Sequence, residues 1–274
     1  MLIRIRHETV YRYTAPARGA VQRLLLTPRN FDGQHIRNWR IDVDRDCRLV
    51  ESEDAFGNIQ HRFHVDGPLS SLTTLVEGEI ETFDLAGVVR GGVERFPLQL
   101  YLRDTPLTAP TAELRDFAQR CAAGETTTLG KLHALMGALH AAMSFETEAA
   151  SVATPAAEAF ARRRGACQEF AHVFVACARA LAIPARYVSG YFCRGDGAGE
   201  QAAGHAWGEA YVEDFGWIGF DPAQDLCPNE AYVRVAVALD HLGAAPIRGA
   251  RIGGDGEEMA VSVRVDAMRR QSQS

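Results

Sequence analysis

Cys167 is the residue of this chain best placed to act as a nucleophile. It follows a Gly-Ala turn and opens an apolar segment that is typical of a buried helix. Free backbone N–H groups and the helix dipole at such an N terminus stabilise a thiolate, and they can also hold the oxyanion of a tetrahedral intermediate. The position therefore predicts a thiol nucleophile, with a packed core cysteine as the alternative.

A cysteine nucleophile needs a base and a group that orients the base, and His205 and Asp221 can supply both. They lie in two segments that are typical of the strands of a hairpin. If Tyr211 pairs with Trp217, Asp221 lies opposite Trp207, one diagonal step from His205 on the same face. A one-residue slip would put the imidazole and the carboxylate on opposite faces, so the contact depends on register.

His172 is the alternative base, because it lies close to Cys167 in the sequence. Five residues along a helix amount to roughly 140° around the axis, so the two side chains point apart. We therefore predict a structural role for His172. No histidine or cysteine spacing indicates a metal site, and the glycine run at 253–256 lacks the lysine of a phosphate-binding loop.

The segments that must position these residues are predicted to be helices and strands in the second part of the chain. Thr154 and Pro155 are typical of a helix start, and Gly165 of a helix end. The predicted helices cover 114–121, 129–139, 155–165 and 167–183. The predicted strands cover 186–192, 204–212, 217–222, 233–239 and 259–265, with a loop over 195–204.

The first part of the chain alternates polar and apolar residues with a period of two, which is typical of half-buried antiparallel strands. These segments cover 3–13, 39–43, 59–65 and 72–83, and they predict a sandwich-like β-domain. Glycines and prolines between 86 and 110 indicate a linker. We therefore predict an N-terminal β-domain with its linker over 1–105, a core with C-terminal strands over 106–268, and a flexible tail over 269–274.

Composition narrows the classes of protein that this sequence can encode. The chain has 274 residues, 47% of them hydrophobic, and a formal net charge of −6, so a nucleic-acid partner is not expected. No apolar run approaches the roughly 18 residues that cross a bilayer, and charges interrupt the first seven residues, where a signal peptide would be apolar. We expect a cytoplasmic chain with no membrane partner, whose six cysteines are thiols.

Three ordered blocks of sequence resemble the bacterial transglutaminase-like proteins, which are often labelled cysteine proteases. The first block is Gly165-Ala-Cys-Gln-Glu-Phe-Ala-His172 with the stretch 179–191 after it; the second is His205-Ala-Trp207, and the third is Gly216-Trp-Ile-Gly-Phe-Asp-Pro222. The N-terminal β-region also resembles the domain that precedes this core in the family. The resemblance covers most of the chain.

The resemblance implies an α+β fold in which an N-terminal antiparallel β-domain precedes a papain-like or transglutaminase-like core, with helices packed on an antiparallel sheet. It implies that Cys167 is the nucleophile, His205 the general base and acid, and Asp221 the orienting carboxylate. We also expect Trp207 and Gln168 to line the substrate cleft.

The function expected from these residues is acyl transfer through a thioester. Hydrolysis of a peptide, protein or amide substrate is the first choice, because water is the default acceptor. The alternatives are transglutaminase-type transfer to an amine and a non-catalytic binding module on the same scaffold. This chemistry requires neither a cofactor nor a metal ion.

Overall fold

The structure is a computed structural model that describes residues 1–146, 154–195, 200–201 and 203–268. Part of the loop predicted over 195–204 and all of the predicted tail over 269–274 lie outside the described residues. Strands dominate the first part of the chain, and the α-helices begin after residue 110. None of the helices within the described ranges is long and apolar enough to cross a membrane.

The alternating segments at the start of the chain form one antiparallel sheet with two very long strands. Its first strands are β1 (Leu2–Thr27), β2 (Gln34–Val43), β3 (Val50–Glu53) and β4 (Ile59–Thr82). The segments predicted as separate strands at 59–65 and 72–83 are one continuous β4. Bulges shift the register of β1 against β4 beyond Arg12, and such bulges bend a strand.

Residues from both halves of β1 and β4 form one buried apolar cluster. The N-terminal sheet therefore has a core of its own. Tyr13 and Leu24 come from β1, and Phe63 and Val76 come from β4. The predicted antiparallel, strand-rich N-terminal region is confirmed, and its strands form one sheet.

Of the two predicted C-terminal strands, 233–239 lies in the core sheet. The strand predicted at 259–265 lies in the N-terminal sheet, which corrects the prediction that it belongs to the core. β13 (Ile247–Ile252) and β14 (Asp255–Met268) both pair with β1, on the edge that β4 leaves open. An open edge of this length would expose a row of unpaired backbone groups, so the returning chain covers it. Gly253 and Gly254 make the turn between the two strands with φ values of 67° and 76°. The division of the chain at residue 105 stays a prediction.

The predicted linker packs against the core. It contains β5 (Val88–Val89) and a 3-10 helix (Leu98–Leu102). Tyr101 of that helix is buried, with its ring 4.8 Å from the ring of Trp217.

The second part of the chain packs helices on an antiparallel sheet, as predicted. The helices are α1 (Ala112–Ala122), α2 (Thr128–Ala142), α3 (Ala156–Arg162), α4 (Cys167–Ala180) and α5 (His241–Ala244). The remaining strands are β6 (Ser144–Phe145), β7 (Arg164–Gly165), β8 (Ala185–Phe192), β9 (Glu200–Gln201), β10 (His205–Val212), β11 (Gly216–Phe220) and β12 (Tyr232–Ala238). The core sheet has the order β12-β8-β10-β11-β5. The pair β6-β7 is separate, and β9 adds to the N-terminal sheet beside β14.

Local sequence determines where α4 begins. Arg163 adopts a left-handed conformation with φ of 54° and ends α3 just before the two-residue β7. The Glu169 carboxylate then accepts a hydrogen bond from the Ala166 N–H at 2.9 Å, which satisfies one backbone donor at the start of α4. Cys167 is the first residue of that helix.

Close packing of α4 on β10 places the helix N terminus near the start of the strand. A Cβ atom at Gly208 would lie 2.5 Å from the Phe174 ring, so only glycine allows this approach. Phe174 also stacks on Phe220 of β11, with 5.3 Å between the ring centroids.

We expect Gly208→Ala to lower the free energy of unfolding by about 1–3 kcal/mol, because the added methyl group pushes α4 away from β10. Chemical denaturation measures the change. Gly124→Ala is the matched control, since nothing lies within 4 Å of a Cβ atom there. Equal denaturation midpoints for the two variants would contradict the close-packing argument.

Candidate active site

His205 and Asp221 meet at one end of the β10-β11 hairpin. Tyr211 pairs with Trp217, which is the predicted register, and Gly208 pairs with Phe220. His205 therefore begins β10, while Asp221 directly follows β11. The His205 Nε2 lies 2.6 Å from the Asp221 Oδ2, and both side chains are buried.

The Asp221 carboxylate accepts two further hydrogen bonds. The Ala223 N–H donates to Oδ1 at 3.0 Å, and the Tyr232 hydroxyl donates to Oδ2 at 2.7 Å. Asp221 has no exposed surface, so these donors replace the water that a carboxylate would otherwise bind. Sequence analysis missed Tyr232, because it comes from β12, which is separated from β11 by two strands of the sheet.

Cys167 interacts with the same imidazole. Its side chain lies close enough to His205 for this interaction, and it keeps 8% of its surface exposed. Because Nε2 faces Asp221, Nδ1 is the ring nitrogen left for the sulfur. The structure thus brings together the three residues that the sequence singled out.

The electrostatic setting of His205 favours the imidazolium. Burial by itself would lower the pKa of His205, but the charges of Asp221 and Cys167 and the hydrogen bond to Asp221 raise that pKa to about 10. At neutral pH the His205 imidazole is therefore protonated, and it faces the Asp221 carboxylate and the Cys167 sulfur.

His172 has its own partners and does not serve Cys167. Its Nδ1–H donates to the Thr154 carbonyl oxygen at 3.4 Å, and its Nε2 accepts from the His241 N–H at 3.0 Å. Burial, with the charge of His241 as a second cause, lowers the pKa of His172 to about 4. The predicted structural role is confirmed.

Trp207 and Gln168 flank the three residues. Trp207 is 2% exposed, and its ring centroid lies 6.2 Å from that of His205 and 5.3 Å from that of Tyr232. Gln168 follows Cys167 on α4 and is half-buried. Their assignment to the substrate cleft stays a prediction. Across the described ranges, no group of three or more His, Cys, Asp or Glu side chains could hold a metal ion.

The fold and this site define a class of protein. The structure matches that of a "putative cysteine protease" from Cytophaga hutchinsonii with a TM-score of 0.79, covering 100% of this chain and 92% of that chain at 19% identity. The model of the transglutaminase-like superfamily matches residues 115–222, and that of the bacterial transglutaminase-like N-terminal region matches residues 3–81. The chain thus combines a transglutaminase-like core with the N-terminal region of the bacterial transglutaminase-like proteins.

Mycobacterial relatives share both regions with this chain. An uncharacterized protein of Mycobacterium tuberculosis is 26% identical over 289 residues, which cover 97% of this chain and 92% of the relative. An uncharacterized protein of Mycobacterium leprae is 28% identical over 276 residues, which cover 96% of this chain and 98% of the relative. The sequence regions that form the N-terminal sheet and the core in this chain are therefore both covered by these relatives.

We expect His205 to keep its proton up to about pH 10 and His172 to stay neutral down to about pH 4. Histidine NMR titration measures both, with His205→Gln and His172→Gln to assign the signals. Because the His205 pKa in the folded chain lies above the unfolded value of about 6.5, its contribution to stability is complete below that pH and is lost as the pH rises through about 10.

Asp221→Ala is the control for this titration. The variant removes the main charge that raises the pKa of His205, so the His205 titration should move to lower pH while that of His172 stays in place. An unchanged His205 titration in this variant would contradict the assigned cause.

Proposed function

We propose that this protein is an enzyme that transfers an acyl group through a thioester on Cys167, with hydrolysis of a peptide or amide bond as its reaction. The observation that carries the proposal is the 2.6 Å contact between His205 and Asp221, beside a thiol at the first residue of α4. The family supports an enzymatic role, and the protease-like neighbour supports a peptide or protein substrate.

In the first half of the proposed reaction, the Cys167 thiolate attacks the carbonyl carbon and the bond to nitrogen breaks. The first backbone N–H groups of α4 have no partner within the helix, so they are available to the oxyanion. The His205 imidazolium gives its proton to the leaving amine. The products are the free amine and a thioester on Cys167.

In the second half, the neutral His205 takes a proton from water as the water oxygen attacks the thioester. The carbon–sulfur bond breaks, the carboxylic acid leaves, and the thiolate and imidazolium form again. Asp221 holds the imidazole in one orientation through both halves, because its carboxylate stays hydrogen-bonded at Nε2.

We expect a library of acyl amides to leave a thioester adduct on the intact protein, and Cys167→Ala to abolish it. His205→Gln should slow its formation by about 100- to 10,000-fold, because the leaving amine loses its acid. Intact-mass spectrometry measures the adduct. Cys47→Ala is the matched control, since Cys47 is a half-buried thiol of the N-terminal region.

An adduct that persists in Cys167→Ala would show that the nucleophile is another residue. Adding a primary amine to the same mixture shows whether water or the amine accepts the acyl group. Hydrolysis releases a carboxylic acid, whereas transfer to the amine releases a new amide. A protein that binds acyl amides without ever forming the adduct would support the binding-module alternative.

A further inference from the structure

Tyr232 makes a contact that the mechanism above does not use. Its hydroxyl and the His205 Nε2 both donate to the same oxygen of Asp221, at 2.7 Å and 2.6 Å. The Ala223 N–H holds the other oxygen. Among the residues that the structure describes, three donors fix the carboxylate, and two of them are side chains: the Tyr232 hydroxyl and the imidazole.

The surroundings of Tyr232 keep its hydroxyl in place as a donor. The side chain is buried, and its ring packs on Phe192 at 4.6 Å and on Trp207 at 5.3 Å between centroids. Burial and the Asp221 charge both raise the pKa of Tyr232, so the hydroxyl keeps its proton. Asp221 has no exposed surface, so bulk water does not compete for its carboxylate.

The strand that carries Tyr232 needs support on its outer side. β12 is the edge strand of the core sheet, and its pairing with β8 is interrupted by a register shift between Arg234 and Ala236. A bulge leaves part of the ladder unpaired and lets the strand bend. The backbone on both sides of this bulge therefore needs hydrogen-bond partners from outside the core sheet.

Two amide side chains of the N-terminal region supply that support. Gln34 receives a hydrogen bond from the Arg234 N–H and donates to the Arg234 carbonyl, both at 2.9 Å. Asn58 makes the same pair of bonds with Val237, both at 2.8 Å. Each amide thus takes the place of a neighbouring strand, one on either side of the bulge.

We propose that Tyr232 is a positioning residue that acts on the reaction through Asp221, and that the N-terminal region holds Tyr232 in place through Gln34 and Asn58. The proposal rests on the proposed function. It also assigns a role to the N-terminal sheet, which contributes no reacting atom among the residues described.

The first test measures the alkylation of Cys167 by iodoacetamide at pH 6, where an ordinary thiol is almost wholly protonated. Tyr232→Phe keeps the ring and removes only the hydroxyl. We expect the alkylation rate to fall about tenfold, because the charged Asp221 carboxylate loses one of the hydrogen bonds that hold it against His205. In an Asp221→Ala background the same change should have less than about a twofold effect, since the residue through which Tyr232 acts is absent.

Tyr191→Phe is the matched control, because Tyr191 is equally buried and its hydroxyl contacts His7 at 2.9 Å instead of Asp221. We expect it to leave the alkylation rate of Cys167 unchanged. Equal losses in Tyr191→Phe and Tyr232→Phe, or a full tenfold loss in the Asp221→Ala background, would overturn the proposal. Thermal unfolding confirms that each variant is folded.

The second test addresses the N-terminal support. We expect Asn58→Ala and Gln34→Ala each to slow alkylation by about threefold, and to add nothing once Tyr232→Phe is present. Asn38→Ala is the matched control, because Asn38 is exposed on the N-terminal sheet and contacts Glu79. If Asn58→Ala leaves the alkylation rate of Cys167 as high as Asn38→Ala does, the hydrogen bonds of Asn58 do not act on the site, and this part of the proposal is wrong.

These outcomes are distinct from a failure of the proposed function. If Cys167 of the unaltered protein reacts no faster at pH 6 than Cys47 does, the activated thiol itself is refuted. If Cys167 reacts fast in the unaltered protein and equally fast in Tyr232→Phe, the activated thiol stands and only the positioning role is refuted.

Discussion

The buried carboxylate of Asp221 is the constraint on which the site depends. An ionised group without exposed surface is tolerated only when hydrogen bonds and a charge partner replace its water. Asp221 obtains these from His205, Tyr232 and the Ala223 N–H, which belong to three different segments of the chain. The same bonds that make the charge tolerable also leave the imidazole one orientation, so stability and chemistry impose the same geometry here.

A second buried charge stabilises the core sheet behind the site. Glu209 lies two residues beyond Trp207 on β10, has no exposed surface, and contacts Arg186 at 2.6 Å and Arg234 at 2.7 Å. Burial would raise the pKa of Glu209, but the two guanidinium groups lower it to about 2. These pairs link β8, β10 and β12, and the last two of these strands also carry His205 and Tyr232. The sheet is therefore held by charges with defined partners as well as by apolar packing, which limits sliding between its strands.

The N-terminal sheet and the core share polar contacts at their boundary, and these contacts are directional. The amides of Gln34 and Asn58 satisfy backbone groups of β12, while His7 contacts the Tyr191 hydroxyl of β8. Burial lowers the pKa of His7 to about 4, so this histidine is neutral at the boundary. Apolar surfaces alone would allow the two parts to shift against each other, whereas paired hydrogen bonds specify one arrangement.

The sequence by itself determined the local structure and the identity of the central residues. The change from a period of two to helical spacing separated sheet from helices, the Gly-Ala turn predicted a helix beginning at Cys167, and the Tyr211–Trp217 register predicted the contact of His205 with Asp221. These are short-range rules, in which spacing along the chain decides what shares a face. Only the tertiary structure decided that the C-terminal strands return to β1 and that Tyr232 reaches Asp221 from a distant strand. Such contacts depend on which edges and buried charges remain unsatisfied once the chain has folded, and no spacing along the sequence records that.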